Sequence, residues 1–91
     1  MTRKDIELKL LQAIRQVQDL SGYPDVEIDV NTCPIKELPD FDSLRGVEAT
    51  IMLGGLLNCE IKGDVNLFVS ENGRNALRIH EIVDQIYALN H

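Results

Sequence analysis

The chain has 91 residues and a formal net charge of −6, from 15 acidic against 9 basic residues. This length supports one domain with a modest core, which the 44% of hydrophobic residues can fill. The acidic excess disfavours nucleic acid and anionic membrane as partners and suits a protein with a basic patch, although solubility alone would also explain it. Aromatic residues make up only 4%, so aliphatic side chains must fill the interior, which favours helices packed on helices.

The cysteines and the N-terminal residues bear on the cellular compartment. Cys33 and Cys59 are the only cysteines, and neither belongs to a metal-binding cluster or a disulfide framework. The first residues lead into an amphipathic stretch instead of an apolar signal region, and no apolar run approaches membrane-spanning length. We therefore expect a cytoplasmic protein with reduced thiols and no metal site.

The first predicted element is a helix over residues 3–20. Its apolar residues recur at spacings of four, four and three, which places them on one face. Ser21-Gly22 is a plausible stop, because glycine accepts the left-handed conformation that often ends a helix. The apolar positions are Ile6, Leu10, Ile14 and Val17.

Residues 23–41 contain three prolines, which exclude a long helix. Residues 25–30 alternate polar and apolar side chains, as a strand does, and residues 64–69 partly repeat the pattern. Pairing of these segments would give an α+β fold. A two-stranded sheet is marginal, however, and the first segment can instead be a loop whose apolar side chains cover a helical core. Those side chains are Val26, Ile28, Val30 and Ile35.

A second helix is predicted over residues 43–58, with a capping signal from Asp42 and Ser43 at its start. We expect Leu44 to face the core. The paired Gly54 and Gly55 conflict with the helix, since each glycine costs about 1 kcal/mol relative to alanine. The predicted inward stripe consists of Val47, Thr50, Leu53 and Leu57.

The last predicted helix covers residues 75–89 and follows a turn signal at residues 71–73. Between the second and last helices, residues 65–70 fit either a short helical turn or an extended piece. The last helix has a broad apolar side formed by Leu77, Ile79, Ile82, Val83, Ile86 and Leu89.

No catalytic constellation is visible. Ser43 lacks a Gly-x-Ser-x-Gly frame, there is no phosphate-binding glycine loop, and the carboxylates are scattered. The two histidines are His80, in the last helix, and the terminal His91.

The remaining candidate for a functional site is the tripeptide Asp42-Ser43-Leu44. A phosphate ester on a serine at a helix start lies beside the first backbone N–H groups and the positive end of the dipole. The tripeptide alone is also an ordinary helix cap.

The context of this tripeptide is more specific. Asp42-Ser43-Leu44 opens the second helix, and apolar and acidic residues follow it at regular spacing. The closing segment 79–86 repeats apolar residues around an Asp. Over residues 3–88 the chain therefore resembles the acyl carrier protein family, which includes peptidyl carrier domains. The residues after the tripeptide that carry the resemblance are Val47, Glu48, Leu53, Leu57, Glu60 and Ile61.

The resemblance implies an all-α fold for the single domain 1–91, a four-helix bundle of acyl-carrier type with a long first loop and a short third helix. It implies that Ser43 carries covalent 4′-phosphopantetheine taken from coenzyme A, with Asp42 and Leu44 completing the site. Partner enzymes of the family dock on the outward face of the second helix beside the serine. The corresponding residues here are Arg45, Glu48, Ile51, Met52 and Leu56.

The chain departs from the family pattern near the serine. Residues 39–41 stand where a glycine is usual, Arg45 occupies a position that is often acidic, and residues 54–56 replace frequent glutamates. These differences suggest a specialised carrier whose docking face is apolar instead of acidic. The alternative is that Leu67 and Phe68 cover the apolar side chains. The side chains in question are Ile51, Met52 and Leu56.

We therefore expect a carrier and not an enzyme. It would hold an acyl or aminoacyl group as a thioester and deliver it to enzymes of fatty acid, polyketide or related secondary metabolism. Its expected partners are a phosphopantetheinyl transferase and acyl-transferring or acyl-modifying enzymes, with no nucleic acid and no membrane, and we expect a monomer. The alternative is a helical interaction module of the same fold without the arm. A small enzyme is a third hypothesis, against which the missing acid–base pair argues.

Overall fold

The computed structural model describes residues 2–59, 61, 65–70 and 72–89, and within them the chain forms four helices and no strand. The prediction of an all-α fold is thus confirmed for this part of the chain. None of these helices is both long enough and apolar enough to cross a membrane. The helices are α1 (Arg3–Leu20), α2 (Pro34–Glu37), α3 (Ser43–Leu57) and α4 (Ile79–Leu89).

Helix α1 has the predicted bounds because local signals fix both of its ends. The Thr2 hydroxyl accepts the Asp5 N–H at 3.1 Å, and the Asp5 carboxylate accepts the Thr2 N–H at 3.4 Å, forming a capping box. At the other end Gly22 takes a positive φ of 93°. The predicted apolar face is buried, and α1 packs against both α3 and α4.

The core lies between α1, α3, α4 and the segment that precedes α4. Each fully buried aliphatic or aromatic side chain stabilises the fold by about 1.5–3 kcal/mol. Two phenylalanines are the only buried aromatic residues in the described part of the chain. The core cluster consists of Ile6, Leu10, Ala13, Ile14, Val17, Leu38, Phe41, Ala49, Leu53, Leu67, Phe68, Ile79, Ile82, Val83 and Ile86.

The alternating segment 25–30 is a loop, and among the described residues it does not pair with residues 65–69. Val26, Ile28 and Ile35 are half-buried against the core, as the loop interpretation predicts. The expectation that Val30 is buried is wrong, since its side chain is 41% exposed.

The end of this loop instead supports the start of α4 through its backbone. The Thr32 carbonyl accepts the Ile79 N–H at 2.9 Å, and the Val30 carbonyl accepts the His80 N–H at 3.0 Å. Two N–H groups of the first turn, which have no partner inside the helix, are thereby satisfied. This backbone contact explains why a segment with a strand-like pattern needs no sheet.

The short helix lies at a different place from the one predicted. It is α2, inside the first connection, where Pro34 occupies the first helical turn and the Glu37 carboxylate accepts the Cys33 N–H at 2.9 Å. Residues 65–70 form a turn and an isolated bridge between Val69 and Ala76, so the expected short third helix between the second and last helices is not formed there.

Helix α4 begins at Ile79 and not at residue 75 for a related reason. The Leu77 N–H donates to the Phe68 carbonyl at 2.9 Å, and the Ser70 N–H donates to the Asn75 carbonyl at 2.8 Å. Backbone groups that a longer helix would use are therefore committed to the preceding segment. Within α4, the buried residues are Ile79, Ile82, Val83 and Ile86.

Helix α3 is rotated relative to its predicted orientation. Thr50 and Leu53 are buried as expected, but Val47 and Leu57 are only half-buried. The prediction that Leu44 faces the core is wrong, since its side chain is 65% exposed. Small residues line the inward side, so neighbouring segments approach the helix backbone closely. The buried residues are Gly46, Ala49, Thr50, Leu53 and Gly54.

The two adjacent glycines of α3 have different surroundings. A Cβ atom at Gly54 would lie 3.2 Å from the Cys59 carbonyl oxygen and 3.3 Å from Ile61 Cδ1, where the chain turns back across the helix end. A Cβ atom at Gly55 would have no neighbour within 4 Å. Gly54 thus permits the reversal of the chain, whereas Gly55 has no such role.

Candidate functional site

Ser43 is the first residue of α3 and its side chain is exposed. The cap is Asp42, whose Oδ1 atom accepts the Arg45 N–H at 3.0 Å. Ser43 Oγ makes no hydrogen bond to any other residue that the structure describes. The hydroxyl is therefore accessible, beside the N–H groups of the first turn and at the positive end of the helix dipole. These surroundings suit a negatively charged ester.

The linker before Ser43 is held by one side chain from the end of α1 and one from the turn that follows it. Gln18 Nε2 donates to the Pro39 carbonyl at 2.9 Å, and the Tyr23 hydroxyl donates to Asp40 Oδ2 at 2.7 Å. Asp40 has a φ of 57°, a left-handed conformation that aspartate tolerates better than most residues. The linker therefore turns into α3 directly after an aspartate in the left-handed conformation.

We expect the Tyr23–Asp40 contact to be visible in a pH titration. The hydrogen bond to Asp40, together with the charge of this carboxylate, raises the pKa of Tyr23 above its ordinary value of 10.0. The folded chain thus keeps the phenol protonated to higher pH than the unfolded chain does. The contact contributes stability below the unfolded pKa, and this contribution is lost as the pH rises through the raised folded pKa.

The measurement is the tyrosinate absorbance of a Tyr87→Phe variant, in which Tyr23 is the one remaining tyrosine. Addition of Asp40→Asn should lower the pKa of Tyr23, since the amide carries no charge. An unchanged titration curve would show that the carboxylate does not contact the phenol in solution.

A further residue reaches Ser43 from the other side. Asn66 Nδ2 donates to the Ser43 carbonyl at 3.1 Å. The sequence does not identify Asn66, Gln18 or Tyr23 as part of the site, because each lies between 17 and 23 residues along the chain from its hydrogen-bond partner. The sequence signal that could have pointed to Asn66 is Gly46, a glycine one turn after the serine with no loop to explain it.

The predicted docking residues of α3 do not share one exposed face. Ile51 is 57% exposed and Glu48 is exposed, whereas Met52 and Leu56 are half-buried and pack against the core. Arg45 Nη1 lies 3.0 Å from Glu48 Oε2 in an ion pair. The outer face of α3 therefore includes the exposed Leu44, Glu48 and Ile51, with the half-buried Arg45 beside them.

The alternative that Leu67 and Phe68 cover Ile51, Met52 and Leu56 does not hold for Ile51, which is 57% exposed. Met52 and Leu56, by contrast, pack against the core cluster to which Leu67 and Phe68 belong. Leu67 and Phe68 are both buried in the core, and the Leu67 N–H donates to Thr50 Oγ1 at 3.0 Å on the inward side of α3. The apolar character of the outer face is thus limited to Leu44 and Ile51, with an ion pair between them.

The other titratable and metal-ligating side chains were candidates for a second kind of site. No group of three or more His, Cys, Asp or Glu residues in the described part of the chain is placed to hold a metal ion. His80 is exposed on α4, and His91 lies outside the described residues. Among the candidate positions, Ser43 is therefore the one whose local geometry suits a covalent modification.

Comparison of the chain with protein-family models, with curated protein sequences and with solved structures finds no match. The comparisons therefore assign neither a family nor an activity. A functional assignment rests on the residues of the chain and on the geometry around Ser43.

Proposed function

We propose that the protein is a carrier of acyl-carrier type that receives 4′-phosphopantetheine on Ser43. The observation that carries this proposal is the exposed Ser43 hydroxyl, which has no hydrogen bond to a described residue while Asp42 alone caps the helix. The resemblance of the Asp-Ser-Leu motif, at the start of the second long helix, to the acyl carrier family supports it. The same proposal includes the acyl-carrier type of the helical fold.

Attachment of the arm is a phosphoryl-group transfer from coenzyme A. Ser43 Oγ forms a bond to the phosphorus that bears the pantetheine, the bond from this phosphorus to the other half of the diphosphate breaks, and adenosine 3′,5′-bisphosphate leaves. The Ser43 proton passes to a base of the transferase, which also supplies Mg²⁺. The chain itself contributes an accessible oxygen at a helix N-terminus, where the charge of the resulting phosphodiester is stabilised.

When attached, the group supplies a terminal thiol that carries an acyl or aminoacyl group as a thioester. The role of this chain is delivery, because a tethered reactant has a high effective concentration at the active site of each partner. The clamped linker and the fixed first turn of α3 give every partner the same starting geometry. We propose enzymes of fatty acid, polyketide or related secondary metabolism as these partners, in the cytoplasm.

The experiment is an intact-mass measurement after incubation with coenzyme A, Mg²⁺ and a phosphopantetheinyl transferase of broad acceptor range. We expect a gain of one phosphopantetheine per chain, and no gain when coenzyme A is omitted. A chain that stays unmodified with a transferase that loads other carriers would contradict the proposal. That result would favour the alternative, an interaction module without the arm.

We further propose that partners dock on the outer face of α3. Ile51 is the suitable test residue, because Met52 and Leu56 pack against the core and glutamate there would disturb the fold. We expect Ile51→Glu to raise the transferase KM for the carrier about tenfold, as loss of a central apolar contact does. The matched control is Leu8→Glu on α1, since Leu8 is 53% exposed and Ile51 is 57% exposed.

Circular dichroism should show both glutamate variants to be folded. Equal KM values for Ile51→Glu, Leu8→Glu and the unchanged chain would rule out docking through Ile51. High salt should weaken docking only modestly if the apolar contact dominates, because salt screens charges and not apolar burial.

A further inference from the structure

Asn66 links the first turn of α3 to the segment that precedes α4. Its Nδ2 atom donates to the Ser43 carbonyl at 3.1 Å, and its Oδ1 atom accepts the Phe68 N–H at 3.0 Å. Both ends of the amide are therefore used, one on each segment. Asn66 lies 23 residues from Ser43 in the sequence, so this contact is purely tertiary.

The Asn66 side chain occupies a niche that exists because residue 46 is glycine. A Cβ atom at Gly46 would lie 2.8 Å from Asn66 Oδ1 and 2.9 Å from Asn66 Nδ2. Contacts this short do not persist, so any larger residue at position 46 would displace the amide from the Ser43 carbonyl. Gly46 is buried on the inward side of α3, where an ordinary helix would carry an apolar side chain.

Thr50 holds the same segment one turn further along α3. Its hydroxyl donates to the Gly46 carbonyl at 2.8 Å and accepts the Leu67 N–H at 3.0 Å. Phe68, the residue after Leu67, is fully buried. Because the neighbouring residues are fixed in this way, Asn66 cannot shift along the helix, and its amide meets the serine carbonyl in one register.

We infer that Asn66 is a positioning residue for the modification of Ser43, a role that rests on the proposed carrier function. Its hydrogen bond fixes the carbonyl, and hence the peptide plane, of the residue whose Oγ atom must attack phosphorus. Gln18 and Tyr23 hold the linker on the N-terminal side, and Asn66 holds Ser43 itself. Group transfer is sensitive to such placement, because the reacting atoms must be close and aligned.

The test compares two glycine-to-alanine substitutions in the same helix. Gly46→Ala displaces Asn66, whereas Gly55→Ala adds the same methyl group where nothing lies within 4 Å. Both favour the helix, so loss of helix stability cannot explain a difference between them. We expect Gly46→Ala to lower the kcat of arm transfer from coenzyme A about tenfold at an unchanged KM for the carrier, and Gly55→Ala to leave both unchanged.

Asn66→Asp provides an independent variant. It keeps an acceptor for the Phe68 N–H but replaces the donor that faces the Ser43 carbonyl, so the same fall in kcat is expected. The Ser43 carbonyl-carbon chemical shift, measured without any transferase, should move in Gly46→Ala and Asn66→Asp and stay in place in Gly55→Ala. This shift reports the hydrogen bond itself, and a general loss of stability would not move it alone.

The outcomes separate the two proposals. No transfer to the unchanged chain overturns the carrier function, and the role of Asn66 falls with it. If the wild-type chain, Gly46→Ala and Asn66→Asp all accept the arm with the same kcat, the positioning role alone is overturned. If one of the two variants fails to fold, the other decides the question by the same comparison with Gly55→Ala.

Discussion

Ser43→Ala should take up no phosphopantetheine while remaining folded. In the described part of the chain the other serine and threonine hydroxyls are engaged: Ser21 Oγ donates to the Val17 carbonyl, and Ser70 Oγ donates to Asn72 Oδ1. Since Asp42 supplies the cap, loss of the Ser43 hydroxyl should change the free energy of unfolding by less than about 0.5 kcal/mol. Intact mass and thermal unfolding measure the two effects.

Two further variants separate modification from capping. Ser70→Ala should be loaded to the same extent as the wild-type chain, because Ser70 lies outside the helices. Asp42→Ala should lose about 1 kcal/mol of stability with the cap, yet it retains the hydroxyl that accepts the arm. Full loading of Ser43→Ala would refute Ser43 as the site of attachment.

Phe68→Ala should destabilise the fold severely. Phe68 is fully buried, and its ring centroid lies 5.1 Å from that of Phe41, with the two rings tilted by 58°. Truncation of a buried phenylalanine costs about 3–5 kcal/mol, which is a large part of the total stability of a domain this small. Urea unfolding should show a midpoint shifted far toward lower urea, or a chain that is unfolded without urea.

The control for Phe68→Ala is Leu44→Ala, which removes an apolar side chain that is 65% exposed. Its stability should change by less than about 0.5 kcal/mol. A similar small loss in Phe68→Ala would mean that this ring does not fill the core. Because Phe41 directly precedes Asp42, the Phe68 ring also supports the linker that leads to the candidate site.

Local patterns in the sequence were sufficient to predict the three longer helices and the start of α3 at Ser43. The apolar spacing of α1 and its ending near Gly22 depend on residues close in sequence. The Asp42 cap likewise accepts an N–H group only three residues further along the chain. The position of the candidate serine at a helix start follows from the same kind of local signal. A helix end is specified locally because the backbone groups left unpaired there are satisfied by side chains close in sequence.

The tertiary structure alone decided which side of α3 faces inward and what surrounds Ser43. Apolar spacing assigned Val47 and Leu57 to the inward stripe, and Leu44 was also expected to face the core. The buried side of α3 is instead formed largely by small residues such as Gly46. The alternating segment 25–30 likewise has a strand pattern, yet it is a loop, and its last residue, Val30, supports the start of α4 through its backbone carbonyl. Asn66 meets Ser43 across 23 residues of chain. Local patterns record which side chains are apolar, but the closeness of two segments depends on how the whole core packs, and the site around Ser43 is built from such contacts.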